Sequence, residues 1–213
     1  MLVASSRRPR LATTAFVLFG LIGSVDVARA EDDFTLYELL DPASHQFAIT
    51  YDTTTSGGRG YYFNGIREGS EATDERVMNR GTGQELEFEV IDGVRGKEIG
   101  MPDRVSDDAH FIMVPLADMG DDAEMRLRIF KTYRDAESYW SEGDTIIFER
   151  SLGIRANAVV LPNGYELIES SIPVIVTTES DGRVKVSMLN DRDDALQVRL
   201  VGRQLAATPG GAR

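Results

Sequence analysis

His45-Gln46-Phe47-Ala48-Ile49-Thr50-Tyr51-Asp52 alternates so that Phe47, Ile49 and Tyr51 fall on one face. A period of two is the signature of a β-strand with one wet side. The pattern recurs along the chain. Glu85-Leu86-Glu87-Phe88-Glu89-Val90 sets three carboxylates opposite three apolar side chains, and Glu124-Met125-Arg126-Leu127-Arg128-Ile129 repeats the arrangement with guanidinium groups outside. Val184, Val186 and Met188 alternate with Arg183, Lys185 and Ser187; Leu196, Val198 and Leu200 alternate with Gln197 and Arg199. Three runs, Phe111–Val114, Thr145–Phe148 and Val174–Val176, are apolar on both faces and predict central or covered strands.

Turn chemistry separates these segments at Ser56-Gly57-Gly58, Asp92-Gly93, Glu142-Gly143-Asp144, Pro162-Asn163-Gly164 and Asp181-Gly182. Gly57-Gly58-Arg59-Gly60 leads into Tyr61-Tyr62-Phe63 and predicts a hairpin loop; it lacks the helix start and Lys-Ser/Thr of a phosphate cradle. Helix signals are few. Thr73 precedes Asp74-Glu75-Arg76 within Ser70–Met78, and Asp135 precedes Ala136-Glu137-Ser138-Tyr139-Trp140, so one or two short helical turns are expected there. Many short strands at this spacing predict an all-β, antiparallel β-sandwich, immunoglobulin-like or larger, over residues 31–203. The polar break at 117–123 allows a division into two halves, and 204–213 reads as a disordered tail.

Residues 1–30 stand apart. Arg7, Arg8 and Arg10 lead into the apolar Ala15–Ile22, and Ala28-Arg29-Ala30 precedes the acidic Glu31-Asp32-Asp33. That is the three-part layout of a secretory signal peptide cleaved between Ala30 and Glu31, and the apolar run is short of the ~20 residues that span a bilayer. Ser6-Arg7-Arg8-Pro9-Arg10-Leu11 resembles a twin-arginine signal, although Arg10 stands where Phe is usual. The expected location is the periplasm or the secreted space, with no membrane span after cleavage.

The 213 residues carry a formal net charge of −12. Residues 1–30 hold four of the Arg and one Asp, so the remaining 183 residues hold 19 basic and 34 acidic groups, a net of −15. Such a balance argues against nucleic acid, whose phosphates demand basic patches. With no Cys, disulfides, thiolate metal sites and Cys nucleophiles are excluded.

Chemistry-bearing motifs are scarce. No G-x-S-x-G elbow is present, and His45 and His110, the only histidines, each sit at the start of a predicted strand. His-Glu-x-x-His is absent. No cofactor is called for, and calcium is the one ion the acidic loops admit: Asp103 with Asp107-Asp108, Asp118 with Asp121-Asp122, and Asn190-Asp191 with Asp193-Asp194. Of these, Asp118, Asp121 and Asp122 are the leading metal candidates. Tyr61, Tyr62, Tyr139 and Trp140 lie beside loops, where flat rings stack on sugar or peptide; they are the candidate binding residues. Glu85, Glu87 and Glu89 are expected to neutralise Arg126 and Arg128 on a neighbouring strand.

Two stretches carry a resemblance: Leu40-Asp41-Pro42 through Asn64-Gly65-Ile66-Arg67-Glu68-Gly69-Ser70, and Arg150-Ser151-Leu152-Gly153 through Pro162-Asn163-Gly164-Tyr165-Glu166-Leu167. They resemble secreted bacterial β-sandwich proteins whose β-rich region is similar to the N-terminal β-domain of gluzincin-type aminopeptidases. The resemblance implies a β-sandwich and no activity, because the zinc motif is missing. The expected function is that of an exported, non-catalytic binding or interaction module of the bacterial cell envelope, engaging an envelope protein or glycan. The alternatives are a glycan-active hydrolase using paired carboxylates, which predicts a carboxyl of raised pKa in a cleft, and a calcium-stabilised structural module.

Overall fold

The residues that alternate inward in sequence form a core between two layers of sheet. The computed structural model describes residues 33–56, 60–116 and 124–206, all within the compact unit Glu31–Arg213. The chain runs through β1 (Phe34–Leu39), a 3-10 turn (Pro42–Ser44), β2 (Gln46–Ser56), β3 (Gly60–Ile66), β4 (Glu71–Asn79) and β5 (Glu85–Leu86). Next come β6 (Glu89–Asp92), helix α1 (Gly93–Glu98), β7 (His110–Leu116), β8 (Glu124–Arg134), β9 (Tyr139–Glu142) and β10 (Thr145–Leu152). Then follow β11 (Ala156–Val160), β12 (Tyr165–Ser170), β13 (Ile175–Thr178), β14 (Val184–Leu189) and β15 (Leu196–Gln204).

One layer is an eight-stranded sheet in the order β13-β14-β11-β1-β2-β8-β4-β5; a four-stranded sheet, β12-β15-β10-β9, and a three-stranded sheet, β3-β7-β6, cover its inner face. Every pairing is antiparallel except β1 with β11. This is an all-β, predominantly antiparallel sandwich. Its layers are joined by aromatic contacts: Phe148 on β10 lies 5.5 Å from Tyr37 on β1 and 5.7 Å from Phe47 on β2, ring centre to ring centre. Offset and edge-on geometries of this kind add to the area they bury.

The expected strands His45–Asp52, Glu124–Ile129, Val184–Met188 and Leu196–Leu200 form with the predicted faces. Phe111–Val114 and Thr145–Phe148 are central in their sheets. At Pro162-Asn163-Gly164 the left-handed residue is Gly164, at φ +80°.

Other expectations are corrected. Ser70–Met78 is not helical: β4 pairs with β8, and a bulge between Thr73 and Arg76, with Asp74 at φ +57°, absorbs the local turn signal. Burying Val77 and completing a long-range ladder outweigh a helix cap worth about 1 kcal/mol. Asp135 does cap a turn, but the turn stops at Tyr139, where β9 begins. The one α-helix among the described residues, α1, starts from an Asp92 side chain that accepts from Arg95 N at 2.8 Å, where a simple turn was expected.

Val174–Val176 is not central: β13 is an edge strand, and Ile175 is 69% exposed. Of the expected hairpin loop, residues 57–59 lie outside the described residues; the flanking strands β2 and β3 belong to different sheets. Glu85-to-Val90 is split between β5 and β6, in two different sheets, and β4 separates β5 from β8. The expected Glu85/Glu87/Glu89 pairing with Arg126/Arg128 therefore fails. Arg128 instead grips Asp52 on β2 through Nε at 2.6 Å and Nη2 at 2.7 Å.

Leu205 N donates to Gly164 O at 2.7 Å, so bonded backbone continues past residue 203. The signal-like segment with Ala30 and Glu31, the loop bearing Asp118, Asp121 and Asp122, and residues 207–213 lie outside the described residues. No helix among the described residues is long and apolar enough to cross a membrane.

Candidate functional site

Among the described residues, two cations point inward. On β8, Leu127, Ile129 and Tyr133 face the core, and Lys131 shares their register; on β10, Ile146, Phe148 and Leu152 do, and Arg150 shares theirs. Lys131 is 7% exposed and Arg150 is 6% exposed. They approach each other where the eight-stranded sheet meets both smaller sheets.

The two are satisfied in opposite ways. Arg150 Nη1 donates to Asp135 Oδ2 at 3.0 Å and to Ser138 Oγ at 3.1 Å, and its guanidinium lies 5.2 Å from the Phe47 ring and 5.3 Å from that of Tyr133. Asp135 also accepts from Ser70 Oγ, Ser138 Oγ, Ser138 N and Glu137 N, at 2.7–3.1 Å. Burial works against its charge, but the bonds from Ser138 and Ser70 and the nearby Arg150 hold the Asp135 carboxyl below its usual range. That is the reverse of what a glycosidase general acid requires.

Lys131 has only neutral partners among the described residues. Its Nζ donates to Asn64 Oδ1 at 2.7 Å and Gly65 O at 3.0 Å, both on β3, and lies 4.9 Å from the Tyr133 ring. The other two lysines of the chain each meet a carboxylate: Lys97 pairs with Asp107 and Lys185 with Glu179. Burial, reinforced by the charge of Arg150 and only partly offset by Glu75, pushes the Lys131 ammonium down to about 8.

Lys131 and Arg150 line a recess of about 350 Å³, together with Arg67, Tyr37, Tyr51 and Tyr133. Asn64, Thr35 and apolar groups complete the wall, and no carboxylate is among its lining residues. Arg67 is exposed on the turn after β3, and its backbone N–H donates to Tyr133 Oη at 3.0 Å. Two further recesses adjoin at Arg67. One, of about 330 Å³, runs past Glu68, Asp135, Trp140 and Glu149; the other, of about 440 Å³, runs past Ser70, Glu75, Asp108 and His110.

The four aromatic candidates are dispersed. Trp140 is half-buried in the recess beside Arg67 and Arg150, with Nε1 donating to Glu142 Oε1 at 3.0 Å. Tyr62 is half-buried, with its hydroxyl against that of Tyr51, which lines the Lys131 recess. Tyr61, 42% exposed, lies 6.1 Å from Phe63 on the outer side of β3. Tyr139 is fully buried and donates to Leu40 O at 2.9 Å, so its ring is a core ring with no face open to a ligand. His45 Nδ1 lies 3.0 Å from Tyr139 O. Of the described acidic loops, Asp107 is engaged by Lys97, and Asp194 by Arg192 at 2.8 Å.

Lys131 and Arg150 were not singled out by motif. Strand parity carries the signal: each occupies an inward position in a strand whose other inward residues are apolar, the place where a charge is least expected.

No protein-family model matches the chain, and no curated protein matches it. Among solved structures it is similar to an M1 zinc metallopeptidase from Deinococcus radiodurans, at 9% identity and a TM-score of 0.47, covering 80% of this chain and 41% of that one. A two-domain M1 zinc metallopeptidase bound to L-tryptophan is similar at 10% identity, with the same TM-score and coverage. The chain thus spans about two-fifths of the length of these enzymes. The likeness is weak.

Proposed function

We propose that this protein is an exported, non-catalytic binding module of the bacterial cell envelope, and that its ligand is taken up in the group of recesses around Arg67. The observation that carries the reading is Lys131: a buried ammonium whose hydrogen-bond partners among the described residues are neutral, on the wall of an open recess. A buried charge without a counter-charge destabilises a fold, so its value lies in what it meets from outside. The signal-like Met1–Ala30 supports export, and the sole tryptophan, Trp140, borders the same recesses.

Trp140 makes the proposal testable without labelling. Fluorescence titration with envelope glycan fragments and short peptides is expected to give a saturable change that Arg67→Ala weakens. N-terminal sequencing of the protein from a periplasmic fraction is expected to begin at Glu31. Retention in the cytoplasm, or turnover of a glycan by the purified protein, would contradict the reading.

A further inference from the structure

We propose that the recess walled by Lys131 binds a small organic carboxylate, with the Lys131 ammonium as its counter-charge and the Tyr133 hydroxyl as a second donor. The proposal rests on the binding-module reading and names the ligand class for one of its recesses. Three observations carry it.

The first is charge. The chain is acidic overall, at −12, yet Arg67, Lys131 and Arg150 line this recess with no carboxylate among the lining residues. Behind the wall, Asp135 answers one of the three charges through its bond to Arg150. Asp33 accepts from the Tyr51 hydroxyl at 2.7 Å, and Glu75 acts on Lys131 from β4 only as a weak offset. A cleft lined by one sign of charge and walled by apolar groups concentrates ligands of the opposite sign.

The second is the supply of donors. An ammonium has three N–H bonds, and among the described residues Asn64 and Gly65 accept two of them. The Tyr133 oxygen accepts from Arg67 N, and its own O–H is given to no protein group among the described residues. One N–H and one O–H on the same wall match the two oxygens of a carboxylate.

The third is the remaining surface. Ile49, Ile66, Ile154 and the Tyr51 ring supply an apolar wall, and about 350 Å³ suits a compact body of one ring.

The test uses protein purified from cells expressing the full chain with ¹³C-labelled lysine. The three lysines give three Cε signals, assigned by substitution. Benzoate, its neutral counterpart benzamide, inorganic phosphate and a neutral N-acetylglucosamine trisaccharide are titrated in turn. Benzoate is expected to move the Lys131 signal and leave Lys97 and Lys185 in place. Benzamide should bind about tenfold more weakly or worse, the scale of one charge-assisted hydrogen bond. Lys131→Met is expected to abolish the benzoate response while its Tm holds or rises, which separates loss of binding from loss of fold; Arg67→Gln, at an exposed position, should weaken it.

Benzamide binding as tightly as benzoate, phosphate moving the Lys131 signal in place of benzoate, or full benzoate binding by Lys131→Met would overturn the proposal. A Trp140 response to the trisaccharide with no benzoate response at Lys131 would overturn it too, and leave the binding-module reading standing. Silence to all four probes would count against both.

Discussion

Replacing Asp135 by Ala removes the counter-charge of a guanidinium that is 6% exposed and surrounded by Tyr37, Phe47 and Tyr133. It also deletes the acceptor of five hydrogen bonds, from Arg150, Ser70, Ser138 (two) and Glu137. Breaking a buried pair from one side costs about 3–5 kcal/mol, because the surviving charge is stranded. For a domain of this size that is a fall in Tm of roughly 6–20 °C. Removing both partners, as Asp135→Ala with Arg150→Met, takes away the stranded charge and puts a flexible apolar chain among the three rings. The double variant should therefore be more stable than Asp135→Ala alone, with a coupling of about 2 kcal/mol or more in the cycle. Urea unfolding followed by circular dichroism measures all four corners. Asp135 is also held below the usual carboxylate range, so its stabilisation is complete above the unfolded value and fades as pH falls through the lower folded one. Asp135→Ala should flatten that acid limb. A single-variant loss under about 1 kcal/mol, or costs that add within about 0.5 kcal/mol, would refute the reasoning.

Lys131 has the opposite pH signature. Its folded value of about 8 lies below the ordinary 10.5, so the penalty is full below pH 8 and shrinks as pH rises toward 10.5. Relative to Lys131→Met, the wild type should gain about 2 kcal/mol between pH 7 and pH 9.5, measured by urea unfolding at both pH values. Gly202→Ala would place a Cβ 2.9 Å from Ile146 Cγ1, in the core between β10 and β15, and should cost about 1–3 kcal/mol by the same assay. Tyr139→Phe strips Leu40 O of its donor and should cost about 1–2 kcal/mol, with the spectrum of the folded state unchanged.

The fold was legible in most strands with one wet side, although Glu85–Val90 alternates as well and is split between β5 and β6. Phe47, Ile49 and Tyr51 announce β2, and Leu127 and Ile129 announce β8, because burial of one face forces the period of two. Ser70–Met78 misled because its cap-like Thr73 and acidic residues are local signals, whereas the ladder to β8 and the burial of Val77 are long-range. Val174–Val176 misled for the converse reason: apolar composition does not tell a central strand from an exposed edge.

The site was half legible. Trp140 does border a recess, but Tyr139, its neighbour in sequence, points into the core, as alternation along β9 dictates. Lys131 and Arg150 were written into the inward register of β8 and β10. What parity does not reveal is that Asn64 and Gly65, some 66 residues away in sequence, come round to receive the ammonium.

The central claim is that Lys131 sits in the protein as a buried ammonium with no carboxylate of its own among the described residues. The ¹³Cε titration of the unliganded protein tests it directly. The account predicts a midpoint of about 8 for Lys131. A Lys131 midpoint near the solvated value of about 10.4 would contradict it.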